Sequence, residues 1–370
     1  MTWFSGDWSY RKSHIINAQA GADTLYQKRV KVWYGSGTDS DENVYLAGKC
    51  RTDFGDVRFC DDDGTTELDY WMEEKVDSDY VVFWVEIADD LSTVNATVFV
   101  YYGNANATTT SNGDDTFVFF DDFIGDSLNL TKWVVREGDV TVSDGELILT
   151  GTTGTRGRID GLVEFNPNSA VHAKSRLNIY SHYQFPIFTR ISNDNTLSDA
   201  MGVYTNPFTA IFFISYNEGT FTATNITGSV PDTGVYRIWE IKWIANKVSL
   251  YVDKSHIVTH TTNVPDETQV CYFRETNVVG YNVYVDWIFV RKYVDPEPSH
   301  GSWGSEEISE PPSPPSPPKI PSITSPPKIY ICPHCGAVLL EKTITYDILG
   351  QAFCTDCYKL LPLKIERGRR

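Results

Sequence analysis

The chain has 370 residues, 41% of them hydrophobic and 22% charged, a balance that excludes a largely disordered polymer and leaves room for two or three domains. Aromatics make up 14%, which suits pleated sheets and flat stacking surfaces better than helix bundles. Against 31 Lys and Arg stand 49 Asp and Glu, a net charge of −18 that repels phosphate backbones and makes nucleic acid an unexpected partner.

The start, Met1-Thr2-Trp3-Phe4-Ser5-Gly6-Asp7-Trp8, has neither a basic nor an apolar leader region, so no signal peptide is expected in this chain. No apolar run reaches the ~18 residues of a membrane span. Strands are predicted at Val30–Tyr34, Val81–Ile87, Thr97–Tyr102, Glu146–Leu149, Ile238–Trp243 and Val283–Val290, where β-formers are concentrated. Turn signals stand between them: Gly35-Ser36-Gly37, Asp63-Gly64, Asn112-Gly113, Asp144-Gly145 and Glu218-Gly219. Short strands with frequent turns predict a mainly β chain of antiparallel sandwiches, with its best internal break at Ser111–Asp115.

From Ser305 to Lys328 there are nine prolines in 24 residues. Proline lacks the ladder donor, so this stretch is expected to be an extended spacer, about 75 Å if fully stretched. The expected division is a β domain over 1–116, a second β domain over 117–298, a Pro-rich linker over 299–328 and a small module over 329–370.

The first segment carries Trp8-Ser9-Tyr10-Arg11-Lys12, Cys50-Arg51-Thr52-Asp53-Phe54-Gly55-Asp56-Val57-Arg58-Phe59, Leu68-Asp69-Tyr70-Trp71 and Val100-Tyr101-Tyr102-Gly103-Asn104. It resembles a family of domains of unknown function common in archaeal and bacterial surface proteins. The resemblance implies a β-sandwich attached to lectin-like modules and no known reaction. Within it, Asp53, Asp56, Asp61, Asp62 and Asp63 crowd one stretch with Arg51 and Arg58. A salt-bridged turn is the plain expectation, and a calcium loop the alternative.

The second segment opens Phe119-Phe120-Asp121-Asp122-Phe123, continues Val142-Ser143-Asp144-Gly145-Glu146-Leu147-Ile148-Leu149 and closes Val285-Asp286-Trp287-Ile288-Phe289-Val290-Arg291. It looks like the concanavalin-A-like lectin/glucanase jelly roll. By resemblance to the family 16 glucanases, Asp286, Asp122 and Gly145 would hold a structural calcium. Asp286 among apolar neighbours needs a partner, either an ion or a backbone cap. The hydrolases of that family use E-x-D-x-E or E-x-D-x-x-E on one strand, two carboxylates serving as nucleophile and acid. Residues 174–216, where that strand belongs, hold Asp194 and Asp199 and no Glu. The expectation is therefore a non-enzymatic glycan binder, with an atypical glycoside hydrolase as one rival. Sugar platforms are expected from Tyr180, Tyr183, Phe185, Phe188, Tyr204, Phe212 and Tyr216, each of which could instead pack in the core.

Cys332-Pro333-His334-Cys335 and Cys354-Thr355-Asp356-Cys357 form two C-x-x-C pairs separated by 18 residues. The segment resembles zinc ribbons and treble-clef fingers, and the spacing predicts one structural zinc on Cys332, Cys335, Cys354 and Cys357. Two disulfides are the alternative. Gly336 follows the first pair, where a tight knuckle wants no side chain. Cys50 and Cys60 are candidates for a bond, which would leave Cys271 single. Asn95, Asn106, Asn129 and Asn225 fit N-x-S/T and support an exterior location weakly. The expected role is adhesion or recognition on a cell or virion exterior, binding glycans or surface polymers. The second rival is a structural decoration or fibre subunit that forms homo-oligomers, or docks proteins through the ribbon.

Overall fold

The computed structural model describes residues 3–178, 183–191, 197–206, 210–230, 234–276, 278–309, 329–340, 344–346 and 351–362. Tyr180 and the linker prolines lie outside them. Nearly every element is a strand, and all pairs but one are antiparallel among the described residues; the exception is Tyr26–Trp33 with Asn43–Tyr45. The strands expected from sequence all form. The Asp144-Gly145 and Glu218-Gly219 turns hold both residues at positive φ, 54° and 75° in the first and 48° and 76° in the second. That is the backbone twist a two-residue hairpin needs. Asn112-Gly113 opens a four-residue helix, Gly113–Thr116, with Asn112 Oδ1 accepting from the Asp114 amide at 3.0 Å.

The body, Met1–Ser309, forms one compact unit and the rest of the chain another. The body contains two sandwiches. In the first, a four-stranded sheet ordered 43–45, 26–33, 80–87, 70–76 faces a sheet ordered 300–303, 10–16, 96–102, 58–60. Val32, Val44, Phe59, Phe83 and Val100 fill the space between. The structure corrects the expected boundary here. His300–Trp303 and Glu307–Ile308 pair with Tyr10–Ile16, so the first sandwich recruits chain from beyond the jelly roll, and residues 299–308 are not linker. His14 fastens the return: its ring stacks on Trp303 at 3.8 Å and meets His300 through a 2.9 Å N···N contact. Cys50 and Cys60 are both free, and they belong to different apolar clusters, so the candidate bond is absent.

The second sandwich is the expected jelly roll. Its eight-stranded sheet runs 139–143, 146–150, 282–292, 169–177, 237–244, 247–252, 255–260, with 119–121 on the closing strand. Its seven-stranded sheet runs 220–225, 211–217, 200–205, 185–190, 270–274, 158–161, 133–137. Leu147, Val171, Met201, Phe213, Trp239, Phe273 and Val285 belong to the core between them.

The first sandwich covers the outer face of the eight-stranded sheet. Trp71 and Trp84 from one side meet Phe117, Phe120, Trp287 and Phe289 from the other in a buried aromatic cluster. Trp71 packs edge-on against Trp287 at 5.5 Å and Phe289 at 5.6 Å. Beside the cluster, the buried Arg291 guanidinium grips both oxygens of Glu297 at 2.8 and 3.1 Å and Glu240 at 3.0 Å. Tyr26 of the first sandwich donates to Glu297 at 3.0 Å, and Lys28 donates to the Pro298 carbonyl at 2.6 Å. The seven-stranded sheet is thus the one whose outer face the first sandwich leaves open.

Candidate functional site

Along Phe185–Arg190, Ala200–Thr205, Ile211–Asn217 and Val270–Arg274, alternate side chains belong to the core: Ile187, Met201, Val203, Ile211, Phe213, Cys271 and Phe273. Their neighbours therefore stand on the outer face, because successive strand residues point to opposite sides. There Phe188, Ala200, Ile214 and Tyr272 form a separate cluster with Leu197, Tyr204 and Tyr216 at its edge, joined by Phe185, which an irregularity between Phe185 and Phe188 brings to the same face. A cavity of about 270 Å³ opens over it, lined by Tyr183, Phe185, Phe188, Leu197, Tyr204, Ile214, Tyr216 and Arg274.

Of the seven aromatics expected from sequence, Tyr183, Phe185, Phe188, Tyr204 and Tyr216 line this one cavity, and Tyr180 lies outside the described residues. Phe188 and Ile214 form the pocket wall. Tyr183 and Phe212 flank Tyr204 in near-parallel stacks at 6.3 and 5.5 Å. Burial raises the pKa of Tyr204 and Tyr216, so both hydroxyls stay protonated donors in neutral solution. Sequence reasoning missed Leu197, Phe221 and Arg274. Phe221 is 57% exposed and packs on Tyr216 at 5.2 Å. Arg274 stands two residues after Tyr272, so strand period alone could have placed it on this face.

Acids are scarce on the sheet. The strands 185–190, 200–205, 211–217, 220–225 and 270–274 contain none. Asp160 is fully buried, with its oxygens bound by Arg190 at 2.8 and 2.9 Å and by Arg136 at 2.8 Å. A carboxylate held by two guanidinium groups is poorly placed to act as nucleophile or acid.

The expected calcium trio looks different in space. The closing strand bulges where Lys174 opposes Trp287 and Ser175 opposes Val285. Asp286 is the extra residue, turned out of the ladder, 34% exposed and paired with Lys174 at 2.5 Å. The uncompensated carboxylate that motivated an ion is thus partnered by a lysine. Asp122 contacts the Ile124 amide at 3.4 Å, and Gly145 sits in its hairpin turn. In the first sandwich Asp53 chelates the Arg51 guanidinium with two 2.9 Å bonds. Asp56, fully buried, accepts from the Arg51, Gly103 and Asn104 amides. Asp63 caps Thr65 and Thr66. The Arg51–Asp53 pair is the salt-bridged turn expected of this stretch.

The four tail cysteines are the one set of three or more metal-binding side chains found together among the described residues, with their Sγ atoms all within 4.8 Å of each other. The Cys332–Cys357 and Cys335–Cys354 sulfur pairs stand 3.7 Å apart, far beyond a disulfide and close to the ~3.8 Å edge of a tetrahedron of thiolates around zinc. Each knuckle closes the same way. The Gly336 amide donates to the Cys332 carbonyl and the Tyr358 amide to that of Cys354, both at 2.9 Å. Gly336 and Tyr358 have φ of 74° and 54°, so Tyr358 fills in the second knuckle the left-handed position foreseen for glycine in the first.

A second cavity, about 280 Å³, lies where the two sandwiches meet and is lined by Lys28, Arg29, Trp84, His172, Glu240, Lys242, Arg291 and Glu297 among others. Burial opposes the charge on Glu240, yet His172, Arg291 and Lys242 hold its pKa down to about 2. This arrangement ties the sandwiches together.

Comparison with known proteins agrees in part. The family described as Domain of unknown function (DUF2341) matches residues 53–136. The match omits the Trp8–Lys12 motif and runs past residue 116 through Phe117 and Phe120, which belong to the aromatic junction. Among solved structures, the chain is similar to an endo-beta-1,3-glucanase from Pyrococcus furiosus, at 16% identity and a TM-score of 0.41 over 48% of this chain and 95% of that one. It is also similar to a glycosyl hydrolase family protein from Mycobacterium fortuitum, at 16% and 0.40 over 47% and 99%. A third is the laminarinase catalytic domain from Thermotoga petrophila RKU-1, at 12% and 0.39 over 48% and 97%. None reaches half of this chain. No curated protein matches it in sequence.

Proposed function

We propose that the body is a non-enzymatic recognition protein that binds glycans on the open face of its seven-stranded sheet. The observation that carries this reading is the convergence of Tyr183, Phe185, Tyr204 and Tyr216 on one cavity. Flat rings edged by phenol hydroxyls offer a sugar both an apolar platform and hydrogen-bond donors. The absence of acids from five strands of that sheet, and the double ion pair on Asp160, favour binding over hydrolysis. A glycan array on the full chain, repeated with Tyr204→Ala, tests it: hits lost in the variant support it, and an array with no hits removes it. Display on a cell or virion exterior as an adhesin is the setting that fits the sandwich architecture and the acidic body. The rival is a decoration or fibre subunit that only assembles.

The tail module is proposed to carry one structural zinc on Cys332, Cys335, Cys354 and Cys357. Its described core is small: Leu339, Ile344, Ala352 and Leu361 beside two of the cysteines. So little apolar area leaves the metal to supply folding energy. About one equivalent of zinc per chain, and loss of tail structure on chelation, are the expected results. Disulfides in a metal-free folded tail would remove this proposal.

A further inference from the structure

The open face has two halves. Strands 200–205, 211–217 and 220–225 carry no charged residue. The other four, 185–190, 270–274, 158–161 and 133–137, carry Arg190, Arg274, Arg158 and Arg136 against Asp160 and Glu137. The sheet's strands therefore sum to 4 − 2 = +2, and the rest of the chain to −18 − 2 = −20. These four strands are more basic than the chain as a whole.

This four-stranded strip abuts the aromatic platform. Arg190 lies 4.5 Å and Arg158 5.9 Å from the centre of the Tyr272 ring, and Arg274 lies 5.3 Å from that of Phe185. Burial, and after it the neighbouring Arg190, push Arg158 below the ordinary guanidinium range. Asp160 is taken up by Arg190 and Arg136. Arg274 lines the aromatic cavity and has no carboxylate within ion-pair distance among the described residues, and its Nε is buried without a hydrogen-bond partner.

Resting on the glycan-binding reading above, we infer that the ligand is an anionic polysaccharide, with sugar rings on the Tyr183–Tyr204–Tyr216 platform and a carboxylate or sulfate group on Arg274. Guanidinium forks suit both anions, through paired, charge-assisted hydrogen bonds. The −20 remainder does not forbid it, because at physiological salt a charge is screened beyond about 8 Å while contact pairs are not. A nucleic acid is disfavoured: it brings a phosphate with every nucleotide, and Arg274 is the one cation lining the cavity.

The test uses the full chain and two matched pairs of polymers: polygalacturonate with its fully methyl-esterified form, and dextran sulfate with dextran. Binding is measured by calorimetry at low and physiological salt, with a single-stranded oligonucleotide alongside. The acidic member of at least one pair should bind at least about tenfold more tightly than its neutral partner, a gap that narrows with salt. Arg274→Gln should cost a similar factor and Arg274→Lys less, each with an unchanged melting temperature. The ester comparison stands even if a variant misfolds. Equal affinity within both pairs overturns the anionic assignment and leaves glycan binding in place. Binding to no polymer, or to the oligonucleotide alone, overturns both.

Discussion

The jelly roll wears aromatic side chains on both outer faces, and the two faces have different fates. On the eight-stranded sheet Trp287 and Phe289 stand with Phe117 and Phe120 against Trp71 and Trp84 of the first sandwich. On the seven-stranded sheet Tyr183, Tyr204 and Tyr216 line an open cavity. The covered set is Trp and Phe, rings that lose little on leaving water. The open set keeps phenol hydroxyls and an arginine, groups that burial without partners would penalise. An aromatic-rich sequence therefore does not announce a binding surface by itself; what covers each face decides.

The largest expected contrast comes from truncating one ring on each face. Trp71→Ala removes a side chain touching four others and should cost about 3–5 kcal/mol in equilibrium denaturation followed by fluorescence. A cost under about 1 kcal/mol would mean that the sandwiches are not held by this cluster.

Acid should act on the covered side. Burial lowers the pKa of His14 to about 4 and of His300 to about 3, from an ordinary 6.5. The fold keeps both rings neutral while the unfolded chain takes up protons below pH 6.5. Stability is thus full above that value and falls as the pH drops towards 4, by an amount on the order of 3 kcal/mol for each ring. His14→Phe should flatten that part of the pH–stability curve; an unaltered slope would place the protons elsewhere.

Tyr204→Ala, on the open face, should reverse the pattern seen with Trp71. Stability should drop by about 1 kcal/mol, while glycan affinity falls by about 2 kcal/mol, roughly thirtyfold. Loss of stability as large as at Trp71 would make Tyr204 a core residue rather than a platform. The smallest effect belongs to Lys174→Ala. Its pair with Asp286 is about one-third exposed on each side and should be worth under about 1 kcal/mol by thermal melting. A much larger loss would show that the bulge depends on this pair.

Much of the fold was legible because strand period and turn chemistry are local. Each predicted run from Val30–Tyr34 to Val283–Val290 became a strand, and Asp144-Gly145 and Glu218-Gly219 became the tight turns their residue types favour. The second knuckle was half legible, since the C-x-x-C spacing marked it but Tyr358 hid its left-handed position. The return of His300–Trp303 was not legible. Four residues with a glycine among them have no strand signature, and they pair because Tyr10–Ile16 offers an edge. For the same reason a linker starting at 299 looked natural.

The amino-acid sequence by itself determined the β character of the chain, the extent of the jelly roll's opening and closing strands, the cysteine cluster and the aromatic set from Tyr183 to Tyr216. All of these rest on residue type and spacing along the chain. Tertiary structure alone decided three other things. A bulge at Lys174 and Ser175 turned Asp286 out to a lysine, although its apolar neighbours suggested burial. The docking of the first sandwich chose which aromatic face is closed. The lateral order of seven strands set Arg274 beside Phe185 and Tyr204. Each depends on contacts between residues far apart in sequence, and local pattern carries no information about which distant strand will be the neighbour.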